Sequence, residues 1–260
     1  IARSADDVLI GPGSKELLFI LQLTFYGELL VPSPSWVSYA PQAVIAGRRH
    51  RWIDTRPEHG WRLTPEALDA VCADDPGRPR LLILNYPSNP LGVTYDDNAL
   101  RGLARVARRY GLVVLSDEIY GELHHRGAHT SIARFYPEGT IISGGLSKWC
   151  GAGGWRLGTF TFPPELRRLM DAMAVVASES YTTVSAPIQY AAIRAFEGGP
   201  DIALYLERSR RVLRQVGPAV AARLRAAGCK VDDPQGGFYL FPDLTALQPR
   251  LAARGIHDTR

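Results

Sequence analysis

A chain of 260 residues, 46% hydrophobic and 22% charged, has the make-up of a globular protein with one large domain and part of another. Its net charge of +4 comes from arginines interleaved with acids along several predicted helices, with no basic run or aromatic platform, so no nucleic-acid partner is expected. No apolar run is long enough to cross a bilayer, and Cys72, Cys150 and Cys229 lack a CxxC pair, which fits reduced thiols in the cytoplasm.

The start, IARSADDVLIGPGS, has neither an initiator methionine nor a signal-peptide pattern, and the chain stops at GIHDTR, so both ends read as cuts. DVLIG predicts a strand, SKELLFILQLTFYG a helix, and ELLVPSPS a strand and turn. A helix is expected from Trp36 to Ala46, then a strand in RRHRWID. Thr64 and Pro65 read as an N-cap with proline at the first helical position. RLLILNY, GLVVLSDE and GTIISGG are buried-strand runs, with a helix from Asp96 to Tyr110 between the first two. RLGTFTF alternates as a strand close behind them. From Pro164 the pattern turns helical, with a long arginine-rich helix from Asp201 to Ala227. CKVDDPQGGFYLFPDL predicts two short strands. Apolar strands separated by helices argue for an α/β fold with a mostly parallel sheet covered on both faces.

Chemistry collects in the turns between these elements. GPGSKE at 11–16 places glycines and Ser14 where a helix N-terminus exposes free amides, an anion site in outline. PSPSWVSYA follows the next strand, NYPSNPLGVTY is a turn-rich loop, and SDEIY ends a buried strand with Asp117. Taken alone, SNP marks a turn, a tryptophan packs a core, and an aspartate at a strand end caps a helix. SGGLSKWCGAGGWRLG carries Lys148 behind a glycine-rich turn, with Arg156 eight residues later. The chain has only three lysines, Lys15, Lys148 and Lys230, against 27 arginines. A lysine amine forms an imine with an aldehyde, which a guanidinium cannot do. The cluster His124, His125 and His129 lacks ligands at zinc-like spacing, so loop histidines are expected and no metal.

Together, and in this order, these strings resemble the class I/II aminotransferases, pyridoxal 5'-phosphate (PLP) enzymes of fold type I, over nearly the whole chain. The resemblance implies a three-layer α/β/α large domain with a mostly parallel mixed sheet over 1–216, and the start of a small α+β domain over 217–260. It implies amino transfer between an L-amino acid and a 2-oxo acid, with Lys148 holding the cofactor as a Schiff base and then moving the substrate's α proton. Gly13, Ser14, Lys15, Ser147 and Arg156 are expected at the phosphate, Lys15 through its backbone amide. Trp36 is expected on the face of the cofactor ring, Asn89 and Tyr120 at its phenolic oxygen, and Asp117 at its pyridine nitrogen. All should converge at the carboxyl ends of the strands. Relatives also imply cis bonds at Ser33–Pro34 and Asn89–Pro90, and a homodimer in which TTVSAP at 182–187 reaches the partner's cofactor.

Two departures bear on specificity. Gly145 stands where relatives carry a phosphate-binding serine or threonine, which leaves more of the anion to Ser14, Ser147 and Arg156, with Ser143 near. No arginine or lysine occurs between Arg168 and Arg194, where one subgroup places a dicarboxylate-binding arginine, which weakens aspartate as the preferred substrate, although other subgroups solve this problem differently. The family's substrate-carboxylate arginine is expected beyond Arg260. A carbon–sulfur β-lyase and the aminotransferase-like effector domain of a transcription regulator share the same motifs and stand as alternatives.

Overall fold

The computed structural model describes residues 3–258. Seven strands form one sheet: β1 (Val8–Gly11), β2 (Glu28–Ser33), β3 (His50–Asp54), β4 (Arg80–Asn85), β5 (Val113–Asp117), β6 (Thr140–Gly145) and β7 (Gly158–Thr161). Their spatial order is β1-β7-β6-β5-β4-β2-β3. β7 runs antiparallel to both of its neighbours and every other pairing is parallel, so the sheet is mixed but mostly parallel.

Alternating strand residues divide the core. Leu29, Val31, Leu81, Ile83 and Leu115 pack on one face under α1 (Ser14–Thr24), α2 (Tyr39–Ile45) and α5 (Arg167–Ser180). Leu30, Leu82, Leu84 and Val114 point to the other face, under α3 (Pro65–Ala73) and α4 (Asp97–Arg109). Each fully buried leucine contributes about 1.5–3 kcal/mol, so two such layers account for much of the fold's stability. The Thr64 cap read from the sequence is present, with Oγ1 accepting from Ala67 N at 3.2 Å, and the structure adds a second, Asp96 Oδ1 accepting from Ala99 N at 2.8 Å. α6 (Ala186–Glu197) and α7 (Pro200–Ala226) pack Ala192, Leu206 and Leu213 against a third cluster beneath residues 119–157.

At the amino edge of the sheet, Glu28 opens β2 beside Arg80, which opens β4. The buried Glu28 carboxylate faces Arg80 Nε at 3.4 Å, Arg51 Nε at 3.5 Å and Arg78 Nη1 at 3.6 Å. Three guanidiniums compensate one buried acid, so this charge is paired within the scaffold.

Two expectations need correction. Trp36 lies in the turn before α2, which begins at Tyr39, because Trp36 O takes the Tyr39 amide at 3.3 Å and the bend follows the Ser33–Pro34 cis bond. The 229–244 segment forms no paired strands; it has only the isolated bridges Lys230–Asp243 and His124–Gly236. Pro234 lacks an N–H, Gly237 turns at φ +65°, and the neighbouring amides of Gln235 and Gly237 bond to Gly92 O and Leu123 O instead of a ladder. Ser33–Pro34 and Asn89–Pro90 are cis as expected; Tyr86–Pro87 is cis as well.

Candidate active site

The carboxyl edge of the sheet gathers the singled-out residues. Asp117 is the last residue of β5, in register with Asn85 on β4 and Ser143 on β6. Gly11, Gly158 and Gly145 form the matching row on β1, β7 and β6. Ser14 therefore follows β1, Asn89 follows β4, Tyr120 follows β5, Lys148 follows β6, and Arg156 precedes β7, all at one edge. This is where open α/β sheets bind ligands.

Asp117 is buried, and burial pushes its carboxyl above the ordinary carboxylate range. Hydrogen bonds work against that shift: Tyr39 donates to Oδ2 at 2.6 Å and Ser143 to Oδ1 at 3.3 Å. Among the described residues, no cation lies within ion-pair distance of it. A buried acid without a positive partner suits a ligand that brings its own protonated nitrogen. Tyr39 in turn is pushed well up by burial and by the Asp117 charge, so it remains a donor. Trp36, half-buried, meets Tyr39 edge-on at 5.3 Å between ring centroids, and Lys15 Nζ sits 4.9 Å from the Trp36 centroid.

The turn before α1 is shaped for an anion. Gly13 has φ +96°, and a Cβ there would collide with the Arg156 guanidinium. A Cβ on Gly158 would collide with the Ser14 amide, so β7 presses directly on the turn. Arg156 itself holds a left-handed backbone, φ +58°, rare for a side-chain-bearing residue, and its Nη1 donates to Gly153 O at 2.7 Å. The result is an exposed guanidinium beside the free amides of a helix N-terminus. Ser147 is half-buried beside Lys148 and its hydroxyl makes no hydrogen bond among the described residues. Ser143 is spent on Asp117 and does not join this cradle, which corrects the expectation placed on it.

Lys148 lies in a loop closed by Gly151 N to Lys148 O and Ala152 N to Leu146 O, both 3.2 Å. Its Nζ is 5.7 Å from the Tyr120 ring centroid. Burial pushes the Tyr120 phenol far up, and its hydroxyl meets Asn89 and Tyr239. Asn85, absent from the sequence reading, braces two site strings: Nδ2 donates to Asp117 O at 2.9 Å and Oδ1 accepts from Asn89 N at 2.7 Å. His129 and His125 are engaged, while the buried His124 Nδ1 has no hydrogen-bond partner among the described residues. His129 Nε2 pairs with Glu118 at 2.8 Å, and the His125 ring nitrogens meet Pro234 O at 3.0 Å and Gly237 O at 2.9 Å.

Comparison with known proteins gives a consistent answer. Residues 1–258 match the family model for aminotransferase class I and II. The chain is 33% identical over 261 residues to an aspartate aminotransferase of Bacillus sp. (strain YM-2), covering 97% of this chain and 64% of that protein. The aspartate aminotransferase of Geobacillus stearothermophilus is 34% identical over 260 residues, with the same coverages. The Thermus thermophilus aspartate aminotransferase solved with maleate superposes with a TM-score of 0.88 at 32% identity, over 96% of this chain and 65% of that one. The chain spans about 64% of the length of these curated relatives.

Proposed function

The chain belongs to the class I and II aminotransferase family, and on that premise we propose that it moves an amino group between an L-amino acid and a 2-oxo acid, with pyridoxal phosphate carried on Lys148. The observation that carries this reading is Asp117, a buried carboxyl group with no cation at ion-pair distance among the described residues, on the same sheet edge as Lys148 and the Gly13–Arg156 cradle.

The residues fit the cofactor. The Ser14 amide and the Arg156 guanidinium take the phosphate, with the Lys15 amide and the Ser147 hydroxyl beside them. Trp36 packs on the ring face. Asp117 holds a proton on the pyridine nitrogen, and Tyr39 and Ser143 keep its carboxylate aimed. Bound there, the cofactor supplies an electron sink for a carbanion at the substrate's α carbon. Asn89 and Tyr120 hold the phenolic oxygen. With the cofactor bound, the Lys148 amine would take the substrate's α proton on Nζ and give it up again, as base and then as acid.

The relatives are named as aspartate aminotransferases, and one was solved with maleate, a dicarboxylate. On those names an acidic donor is the favoured substrate class; with no arginine or lysine between Arg168 and Arg194, the charge it needs is offered by the Lys15 ammonium over Trp36. That gives the Lys15 side chain a role beyond its amide. The domain division stays at 216/217, inside α7, and a homodimer is the favoured assembly, through 182–187. Three free cysteines favour a reducing cytoplasm, and among the described residues no helix is long and apolar enough to cross a membrane.

The test is to mix the cofactor-loaded protein with aspartate and no acceptor. Transfer yields one oxo acid per site without ammonia, and turnover resumes when a 2-oxo acid is added. Continuous ammonia release from a β-substituted amino acid, with no dependence on an acceptor, would move the assignment to elimination.

A further inference from the structure

A strap over residues 234–239 crosses the mouth of the site and brings in a side chain that no motif assigned. Its backbone is held from several sides. Gln235 N donates to Gly92 O at 2.7 Å, His125 N to Gln235 O at 2.9 Å, and Gly237 N to Leu123 O at 2.9 Å. Gln235 Oε1 accepts from Thr94 N at 3.0 Å and from Arg62 Nη2 at 2.8 Å. The His125 ring closes the clamp on two carbonyls, Pro234 O and Gly237 O. Gly237 then turns at φ +65° against the Tyr120 ring, a conformation that suits glycine. The chain leaves Phe238 and Tyr239 edge-on to Tyr120, with centroids at 5.5 and 5.6 Å. The Tyr239 and Tyr120 hydroxyls are 3.2 Å apart.

We propose that Tyr239 is a positioning residue for Tyr120: it holds the Tyr120 oxygen so that the single Tyr120 proton is directed at the cofactor's phenolic oxygen. This rests on the functional reading above. A phenol has one proton and two lone pairs. Tyr120 oxygen meets the Asn89 side chain and the Tyr239 hydroxyl, and as the site stands Tyr120 donates to Tyr239. An ionised phenolic oxygen is the stronger acceptor. Once one is present, the Tyr120 proton turns to it, and Tyr239 rotates its own proton onto the Tyr120 oxygen. Two donors onto that oxygen, Asn89 and Tyr239, then polarise the bond that Tyr120 makes. Among the described residues, the charged or titratable groups facing Tyr120 include Asp117, Lys148, Tyr39 and Tyr239 itself.

The experiment is a pH titration of the bound cofactor's visible absorption in the wild type, Tyr239→Phe, Tyr120→Phe and the double variant. A hydrogen bond to the ionised phenolic oxygen favours the deprotonated cofactor, so losing it raises the midpoint. Tyr120→Phe raises it most. Tyr239→Phe keeps the ring packing and raises it by about half a pH unit, a threefold change in proton affinity. In the Tyr120→Phe background the second substitution adds nothing, because its effect passes through the Tyr120 hydroxyl. An unshifted midpoint in Tyr239→Phe, or the same shift with and without Tyr120, would overturn the proposal while leaving the aminotransferase reading intact. If Tyr120→Phe shifts nothing, or the wild type gives no pH-sensitive cofactor band, the functional reading fails and takes this inference with it.

Discussion

Replacing Gly158 by alanine drives a methyl group into the turn that ends β1. The new Cβ would lie 2.5 Å from the Gly13 carbonyl carbon, 2.9 Å from Ser14 Cα, and closer still to the Ser14 amide. Carbon atoms settle at about 3.5–4.0 Å, so the turn must recede by roughly 1 Å. All three obstructing atoms are backbone, so no rotamer change relieves the clash. β7 cannot yield either, since Gly158 is paired with Gly11 on one side and Gly145 on the other. The displacement falls on the amides that form the anion site. Overpacking of this kind costs about 1–3 kcal/mol of stability, or roughly 2–12 °C in melting temperature at this size. Losing one hydrogen bond to a charged phosphate costs about 1.5–3 kcal/mol, a loss of roughly 10- to 150-fold in affinity. Equilibrium titration with pyridoxal phosphate and with pyridoxal, which lacks the phosphate, separates the two effects. Gly158→Ala should weaken the first by that factor and leave the second within about twofold. Equal weakening of both, or no weakening of either, would show that the 11–16 turn is not the phosphate site.

Asp117→Asn should abolish most turnover yet stabilise the cofactor-free protein at neutral pH. Burial raises the Asp117 carboxyl, so its stabilising share is complete below the ordinary carboxylate range and is lost as pH rises through its raised value. Thermal unfolding of the cofactor-free protein from acid to neutral pH should show wild type falling relative to the variant, and parallel curves would refute the assigned cost. Glu28→Gln removes the charge that three arginines share, and should cost about 3–5 kcal/mol while leaving pyridoxal phosphate affinity unchanged, because that cluster sits at the opposite edge of the sheet. Denaturant unfolding and cofactor titration of the same preparation check both halves.

The alternation of apolar runs and amphipathic helices made the sheet legible from the sequence, because the central strands β2, β4 and β5 are buried on both faces and read as short unbroken runs, while β1, β3 and β7 keep partly exposed positions. The turn chemistry was legible where a local string demands it: Gly13 before Ser14, Asp117 at the end of GLVVLSD, Lys148 and Arg156 around one glycine loop. Partners brought together only by the fold left no such trace. Tyr39 reaches Asp117 across 78 residues of chain, and nothing in PSPSWVSYA separates it from a core tyrosine. Asn85 sits at the end of a run that reads as buried strand, and its bracing role depends on register with β5. The 229–244 segment has the alternation of strands, but Pro234 and Gly236–Gly237 spend its hydrogen bonds on loops 92 and 123 and turn it into a strap. His125, Gln235 and Tyr239 acquire their meaning only from that strap.

The most direct test of the account is where the cofactor attaches. The protein is loaded with pyridoxal phosphate, reduced with borohydride, digested and mapped. A single label is expected, on Lys148, in the peptide carrying SKWCGAGGWR, and no label after Lys148→Ala. A label on Lys15 or Lys230 in its place, or undiminished labelling of the Lys148→Ala variant, would contradict it.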